Sequence, residues 1–240
     1  SFGTEQSPGT KVVSVSGCVK RPGNYEVELG VSLRDLIYGL AGGPLDGREI
    51  TAFYPGGSSS PVLTPAEMDL PYSFEAMAEA GSMLGSGSII VADDSVSIPH
   101  MALRTAKFYR HESCGKCTPC REGTNWTEKM LQRVVTGEAT PMDLDIISSV
   151  QDNIMGHCLC VLGDAMAMPV SSMVTKFRDE FEEVIAAEAA RAWNTAFEGQ
   201  GSPGRDENAN GDGPGPGGMS PEELRRERLA GRAIPSGGAS

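Results

Sequence analysis

Three cysteines at two-residue intervals, Cys114, Cys117 and Cys120, lie in the run Ser113-Cys114-Gly115-Lys116-Cys117-Thr118-Pro119-Cys120-Arg121-Glu122-Gly123. Such spacing gathers three thiolates around one small concave volume. That is one more than a zinc hairpin needs and one fewer than a tetrahedral or cubane site needs. A fourth candidate lies downstream in Gly156-His157-Cys158-Leu159-Cys160. Three plus one matches a [4Fe–4S] cluster, whose irons are held by four cysteine thiolates, and electron transfer is the chemistry that follows. A structural zinc site with four cysteine ligands is the competing use of the same residues. It usually pairs two knuckles, and Cys158-Leu159-Cys160, with one residue between the thiols, makes a poor second one.

Around the triplet, Gly115 allows close backbone approach, so that main-chain N–H groups can point at sulfur. A helix beginning at Arg121-Glu122-Gly123 would turn its positive end toward surplus thiolate charge. Lys116 and Arg121 are candidate compensating charges. His157 reads as a helix-end residue, His111 as a solvated or capping one, and His100 as a helix-start residue. Cys18 lies apart, on a strand. The loop Gly56-Gly57-Ser58-Ser59-Ser60 has no following Lys and no strand–helix setting, so it reads as a turn rather than a phosphate cradle. The eleven methionines read as core filler.

The bulk composition narrows the class. A chain of 240 residues with 20 basic and 32 acidic side chains carries a formal charge of −12. Such a surface repels phosphate backbones, which excludes nucleic acid as the natural partner. No apolar run is long enough to span a bilayer, so direct membrane insertion is not expected. The opening Ser-Phe-Gly-Thr-Glu-Gln lacks the charged-then-apolar pattern of a secretory signal, and it lacks an initiator Met, which suggests a fragment. Six cysteines without a signal peptide point to a reducing compartment and metal ligation rather than disulfides.

The elements that must position the thiols follow from periodicity. Lys11 to Val19 alternates as a strand, Lys20-Arg21-Pro22-Gly23 turns, and Asn24 to Leu29 returns as its hairpin partner. Ser32 caps a helix to Leu40 with Leu33, Leu36, Ile37 and Leu40 on one face. Ile50 to Tyr54 and Ser86 to Val91 complete a small β-grasp-like α+β domain. From Ser97 the pattern is helical: His100–Arg110, Glu122–Gly137 with Trp126, Met130, Leu131 and Val134, and Pro141 to about Met155 with Ile146, Ile147, Val150 and Ile154. Pro169 is expected to open a fourth, long helix carrying Val170, Met173, Val174, Phe177, Phe181 and Ile185. The expected class is therefore α+β: a β-grasp-like domain over 1–96, a four-helix bundle over 97–198 that carries an iron–sulfur cluster, and a disordered Gly/Pro-rich tail over 199–240.

At Glu112 to Gly123 the sequence resembles the flavoprotein (51 kDa, or F) subunit of the proton-pumping NADH:quinone oxidoreductase, respiratory complex I. The likeness continues at Cys160-Val161-Leu162-Gly163-Asp164-Ala165, similar to the family's fourth-ligand motif. It includes Ser7-Pro8-Gly9-Thr10-Lys11 and Ser14-Val15-Ser16-Gly17, similar to the start of its soluble-ligand-binding (SLBB) β-grasp domain, and so spans about residues 3 to 186. The resemblance implies a [4Fe–4S] cluster on Cys114, Cys117, Cys120 and Cys160, fed with electrons from FMN after hydride transfer from NADH. The family's glycine-rich FMN- and NADH-binding domain has no counterpart here, so FMN and NAD are expected of the whole subunit but not of this chain alone, and no catalytic or cofactor-binding residue is assigned for them. Cys158 departs from the family, which more often has another residue there. The implied partners are other subunits of the NADH dehydrogenase module, including a [2Fe–2S] subunit and the large iron–sulfur subunit. The implied location is cytoplasmic, peripheral on the inner face of the plasma membrane. The alternatives are the diaphorase subunit of an NAD(P)-linked hydrogenase or formate dehydrogenase, and a non-catalytic interaction module with a structural metal.

Overall fold

The structure, a computed structural model, describes residues 2–198; the expectation for a tail over 199–240 lies outside them. Four strands, β1 (Thr10–Gly17), β2 (Gly23–Glu28), β3 (Ile50–Tyr54) and β4 (Ser88–Asp93), form one mixed sheet in the order β2-β1-β4-β3. The hairpin β1–β2 is antiparallel, while β1 and β4 run parallel at the sheet centre. The alternation read from the sequence decides the faces. On β1, Val13 and Val15 are buried and Val12 is exposed, and on the outer face Ser14 Oγ donates to Asn24 Oδ1 of β2.

Both faces of the β3–β4 edge are used. Phe53, Ile89 and Val91 join a core with Leu33, Leu36, Ile37 and Tyr72. Ala52, Tyr54 and Val62 join the second core, with Ile90 packed against it, and that core is otherwise built by helices. Between β3 and β4 a short helix, α1 (Phe74–Glu79), starts at Ser73, whose side chain accepts from the Ala76 N–H. The expected helix after Ser32 is also present, and Ser32 Oγ accepts from the Asp35 N–H at 3.0 Å. Its second half, Asp35–Leu40, is wound wider, with the Ala41 N–H closing on the Leu36 carbonyl. Wider winding turns later residues off the original stripe. Leu33, Leu36 and Ile37 are therefore buried, but Leu40 is exposed, contrary to the 3.6-residue expectation.

Five helices follow: α2 (Ile98–Glu112), α3 (Thr118–Thr136), α4 (Pro141–Ile154), α5 (Leu162–Lys176) and α6 (Arg178–Glu198). Pro141 sits in the first turn of α4, as expected, with a reciprocal Thr140–Asp143 cap ahead of it. The Thr140 amide, burial working against it, and the nearby Arg133 hold the Asp143 carboxyl below its usual range. Further expectations are corrected here. Pro169 does not open a helix; it lies inside α5, which starts seven residues earlier. Met166, Ala167, Val170, Met173 and Val174 make one continuous buried stripe across it, and burying that stripe outweighs one lost backbone N–H. The long fourth helix is also two, broken at Phe177, so that Phe181 and Ile185 reach the core from α6. Trp126 and Ile146, expected on inward stripes, face solvent.

The sheet and the helices are joined through Tyr54. Its hydroxyl lies 2.9 Å from Thr105 Oγ1 of α2 and contacts Met173 of α5. Burial pushes this phenol up to about 12. At the start of α2 the Ile98 N–H donates to Glu180 Oε1 of α6 at 2.8 Å, so a carboxylate from another helix caps α2.

Candidate metal centre

All three cysteines of the triplet lie at the α2–α3 junction. Ser113 closes α2 as its C-cap, Cys117 is the N-cap of α3, and Cys120 lies within its first turn. The helix thus begins earlier than the expected Arg121, and the thiols stand at its N-terminal end. Cys158 and Cys160 arrive on the turn between α4 and α5. The five thiols wall a cavity of about 120 Å³, together with Ser113 and Lys116. Cys120 is buried, Cys117 and Cys158 half-buried, and Cys114 and Cys160 exposed. Among the described residues, no three His, Cys, Asp or Glu side chains close on a point as the ligands of a single ion would. The five cysteines line one cavity between the two loops, and four thiolates on different irons are what a [4Fe–4S] cluster takes.

Two polar groups come within 3.3 Å of sulfur. Ser113 Oγ lies 3.3 Å from Cys120 Sγ, and the Leu159 N–H donates to Cys117 Sγ at 3.2 Å. Gly115, at φ +75°, gives its N–H to Ser113 Oγ rather than to sulfur. Lys116 lines the cavity as expected. Arg121 does not; its guanidinium donates to Glu122 and to the Gly115 carbonyl, beside a separate polar cavity. Burial first, then the neighbouring Cys120 and Cys117, push the Cys158 thiol up. Several thiolates in one pocket repel one another, and a cationic centre resolves that repulsion.

Close packing fixes the two loops against each other. A Cβ at Gly123 of α3 would lie 2.6 Å from Ile154 of α4. One at Gly163 of α5 would lie 2.8 Å from Ile154 and 3.0 Å from Cys158 Sγ. Neither glycine was singled out for packing by spacing alone. The 158–160 turn bends, and Cys158 and Cys160 both line the cavity. His100 Nδ1 meets Ser97 Oγ at the start of α2, as a helix-start residue should. Cys18 is half-buried outside this centre. Burial pushes its thiol up, opposed next by a hydrogen bond with the Asp93 backbone, with the Asp93 carboxylate adding smaller upward contributions.

Comparison with known proteins agrees with this geometry. Residues 100–184 match the NADH-ubiquinone oxidoreductase-F iron-sulfur binding region, and residues 12–63 match the SLBB domain. The F 2 subunit of the NADH-quinone oxidoreductase of Rhizobium meliloti is 45% identical over 180 residues, covering 75% of this chain and 43% of that protein. The F subunit of the Mycobacterium tuberculosis H37Rv enzyme is 45% identical over 181 residues, 75% of this chain and 40% of its own length. A crystal structure of NAD+-reducing [NiFe]-hydrogenase in the air-oxidized state superposes with a TM-score of 0.68 at 32% identity, covering 77% of this chain and 31% of that one. The fold and site define an α+β chain that couples an SLBB domain to a [4Fe–4S]-binding helical region. Over these residues it is similar to the C-terminal part of the F subunits of NADH-quinone oxidoreductases. It spans less than half the length of the curated relatives it matches.

Proposed function

We propose that this chain is the electron-transfer part of an NADH dehydrogenase module of NADH:quinone oxidoreductase, with Cys114, Cys117, Cys120 and Cys160 holding its [4Fe–4S] cluster. The observation that carries the reading is the thiol-walled cavity of about 120 Å³ at the meeting of the α2–α3 and α4–α5 loops. When bound, such a cluster accepts and passes on one electron at a time. The chain's own residues hold it and set its surroundings. Lys116 supplies positive charge at the wall, the Leu159 N–H and Ser113 hydroxyl point at sulfur, and Ile154 against Gly123 and Gly163 keeps the two loops in register.

Cys160 is favoured over Cys158 by the Cys-Val-Leu-Gly-Asp motif that begins with it. Cys158 instead sits against Gly163, its thiol directed to the Ile154 carbonyl at 3.9 Å. Electrons would arrive from reduced FMN in the whole subunit, whose FMN and NADH sites are assigned to no residue of this chain. The partners would be other subunits of the module, among them a [2Fe–2S] subunit and the large iron–sulfur subunit. The complex would sit peripherally on the inner membrane face; among the described residues, no helix is long and apolar enough to cross a membrane. The hydrogenase likeness keeps a diaphorase role as the second reading.

Anaerobic reconstitution tests the proposal: about four iron and four sulfide per chain are expected, with an EPR signal on reduction. Stoichiometric zinc without sulfide would defeat it. Cys160→Ser is expected to lose the signal and Cys158→Ser to keep it; the reverse pattern overturns the ligand assignment.

A further inference from the structure

We infer that Ser113 is a positioning residue that sets the reduction potential of the proposed cluster, through a hydrogen bond from its hydroxyl to the Cys120 thiolate. The inference rests on the function proposed above. Three observations and one chemical argument carry it. Ser113 Oγ lies 3.3 Å from Cys120 Sγ. In the free protein either atom can donate, but a metal-bound thiolate has no proton, so only the hydroxyl can. The Gly115 N–H, at 3.3 Å, already occupies the acceptor side of that hydroxyl and leaves its proton for sulfur. Cys120 is also the most enclosed thiol of the group, only 7% exposed. A hydrogen bond there acts at low dielectric and is weakened least by water.

The direction follows from charge. Reduction adds one electron to a group that already carries surplus thiolate charge. A donor aimed at sulfur stabilises the more negative, reduced state more than the oxidised one. Removing it therefore lowers the potential. The Leu159 N–H bond to Cys117 has the same sense, but it is main chain and survives any side-chain change. The Ser113 contact is the one that substitution can remove. The adjoining polar cavity, which Ser113 also lines, touches Arg110, Arg121 and Asn125 and leaves room there for a hydroxyl-bearing replacement.

The test is an EPR-monitored redox titration of the reconstituted full chain beside Ser113→Ala and Ser113→Thr. Ser113→Ala is expected to take up wild-type iron and sulfide. At a fixed ambient potential its oxidised-to-reduced ratio should rise several-fold, a tenfold change being 59 mV for one electron. Ser113→Thr keeps the hydroxyl and should titrate like wild type. In deuterated buffer, a strongly coupled exchangeable deuteron should be seen in wild type and be missing in Ser113→Ala. An alanine variant that loads fully and titrates at the wild-type potential overturns the inference, and so does one that no longer takes up iron, since Ser113 would then only build the loop. A wild-type protein that forms no cluster sinks this inference together with the functional reading; a loaded wild type with an unshifted alanine variant sinks this inference alone.

Discussion

The sheet region and the cysteine end of the helices treat their polar groups in opposite ways. In the sheet region they are satisfied internally. Thr4 and Ser7 hydroxyls both donate to the Glu75 carboxylate, and Ser95 donates to Asp93. At the cysteine end, five thiols share a cavity with two sulfur-directed donors between them. Chemistry sits where the fold leaves polar groups unfinished. The difference teaches where a bound group would matter: if the proposed cluster is held, its binding is expected to stabilise the α2–α5 loops and to leave the sheet region little changed.

The sharpest way to break that comparison is to remove a ligand. Cys120→Ser is expected to lower bound iron and sulfide at least about tenfold, since thiolate ligation is what holds a cluster. Chelation of the loaded protein should then raise hydrogen exchange in α3, α4 and α5 far more than in β1 and β4. Equal acceleration in both regions would contradict the asymmetry.

Packing at the loops gives the next largest effect. Gly123→Ala drives a methyl into Ile154, and overpacking of this kind costs about 1–3 kcal/mol. Better helix propensity returns about 0.8–1.0 kcal/mol of it. Ile154→Val removes one of the two clashing atoms and should recover part of the loss in a double-mutant cycle, read by denaturant melts of the chain without metal. Additive effects would show that the two residues do not meet.

Tyr54→Phe probes the joint between the two regions. It deletes a buried hydroxyl that faces Thr105, and about 0.5–1.5 kcal/mol should be lost in chemical denaturation. Thr105 still donates to the Met101 carbonyl, so no donor is stranded. An unchanged midpoint would mean the hydroxyl contributes nothing to the joint.

The smallest effect belongs to the sheet region's own latch. Hydrogen bonds first from Ser7 and then from Thr4 hold the Glu75 carboxyl down at about 2. A depressed acid stabilises above its unfolded value, near about 4.3, and the contribution fades as pH falls toward about 2. Amide exchange in residues 2–9 should therefore be slow at about pH 5 and, corrected for intrinsic rates, faster near about pH 2. Glu75→Ala should abolish that dependence. A variant with the wild-type profile would remove Glu75 from the account.

Much of this was legible without coordinates because it is local. Val13 and Val15 alternate on β1, Pro141 marks a helix start, and the two-residue spacing of Cys114, Cys117 and Cys120 brings three cysteines to one junction. Pro169 misled because proline at a helix start and proline inside a helix look alike one residue at a time. The difference lay in the stripe from Met166 to Val174, whose burial depends on partners far away in sequence. Leu40 misled because winding was taken as regular.

The sequence by itself determined which side chains could ligate, the alternation on β1 and the start of α4 at Pro141, since each is set by residues within a few positions of one another. Only the tertiary structure decided that Ile154 locks Gly123 and Gly163, that Ser113 meets Cys120 across the loop, and that both Cys158 and Cys160 reach the cavity. Those depend on how chains distant in sequence pack, where a single methyl or a bend of one turn sets which atoms touch.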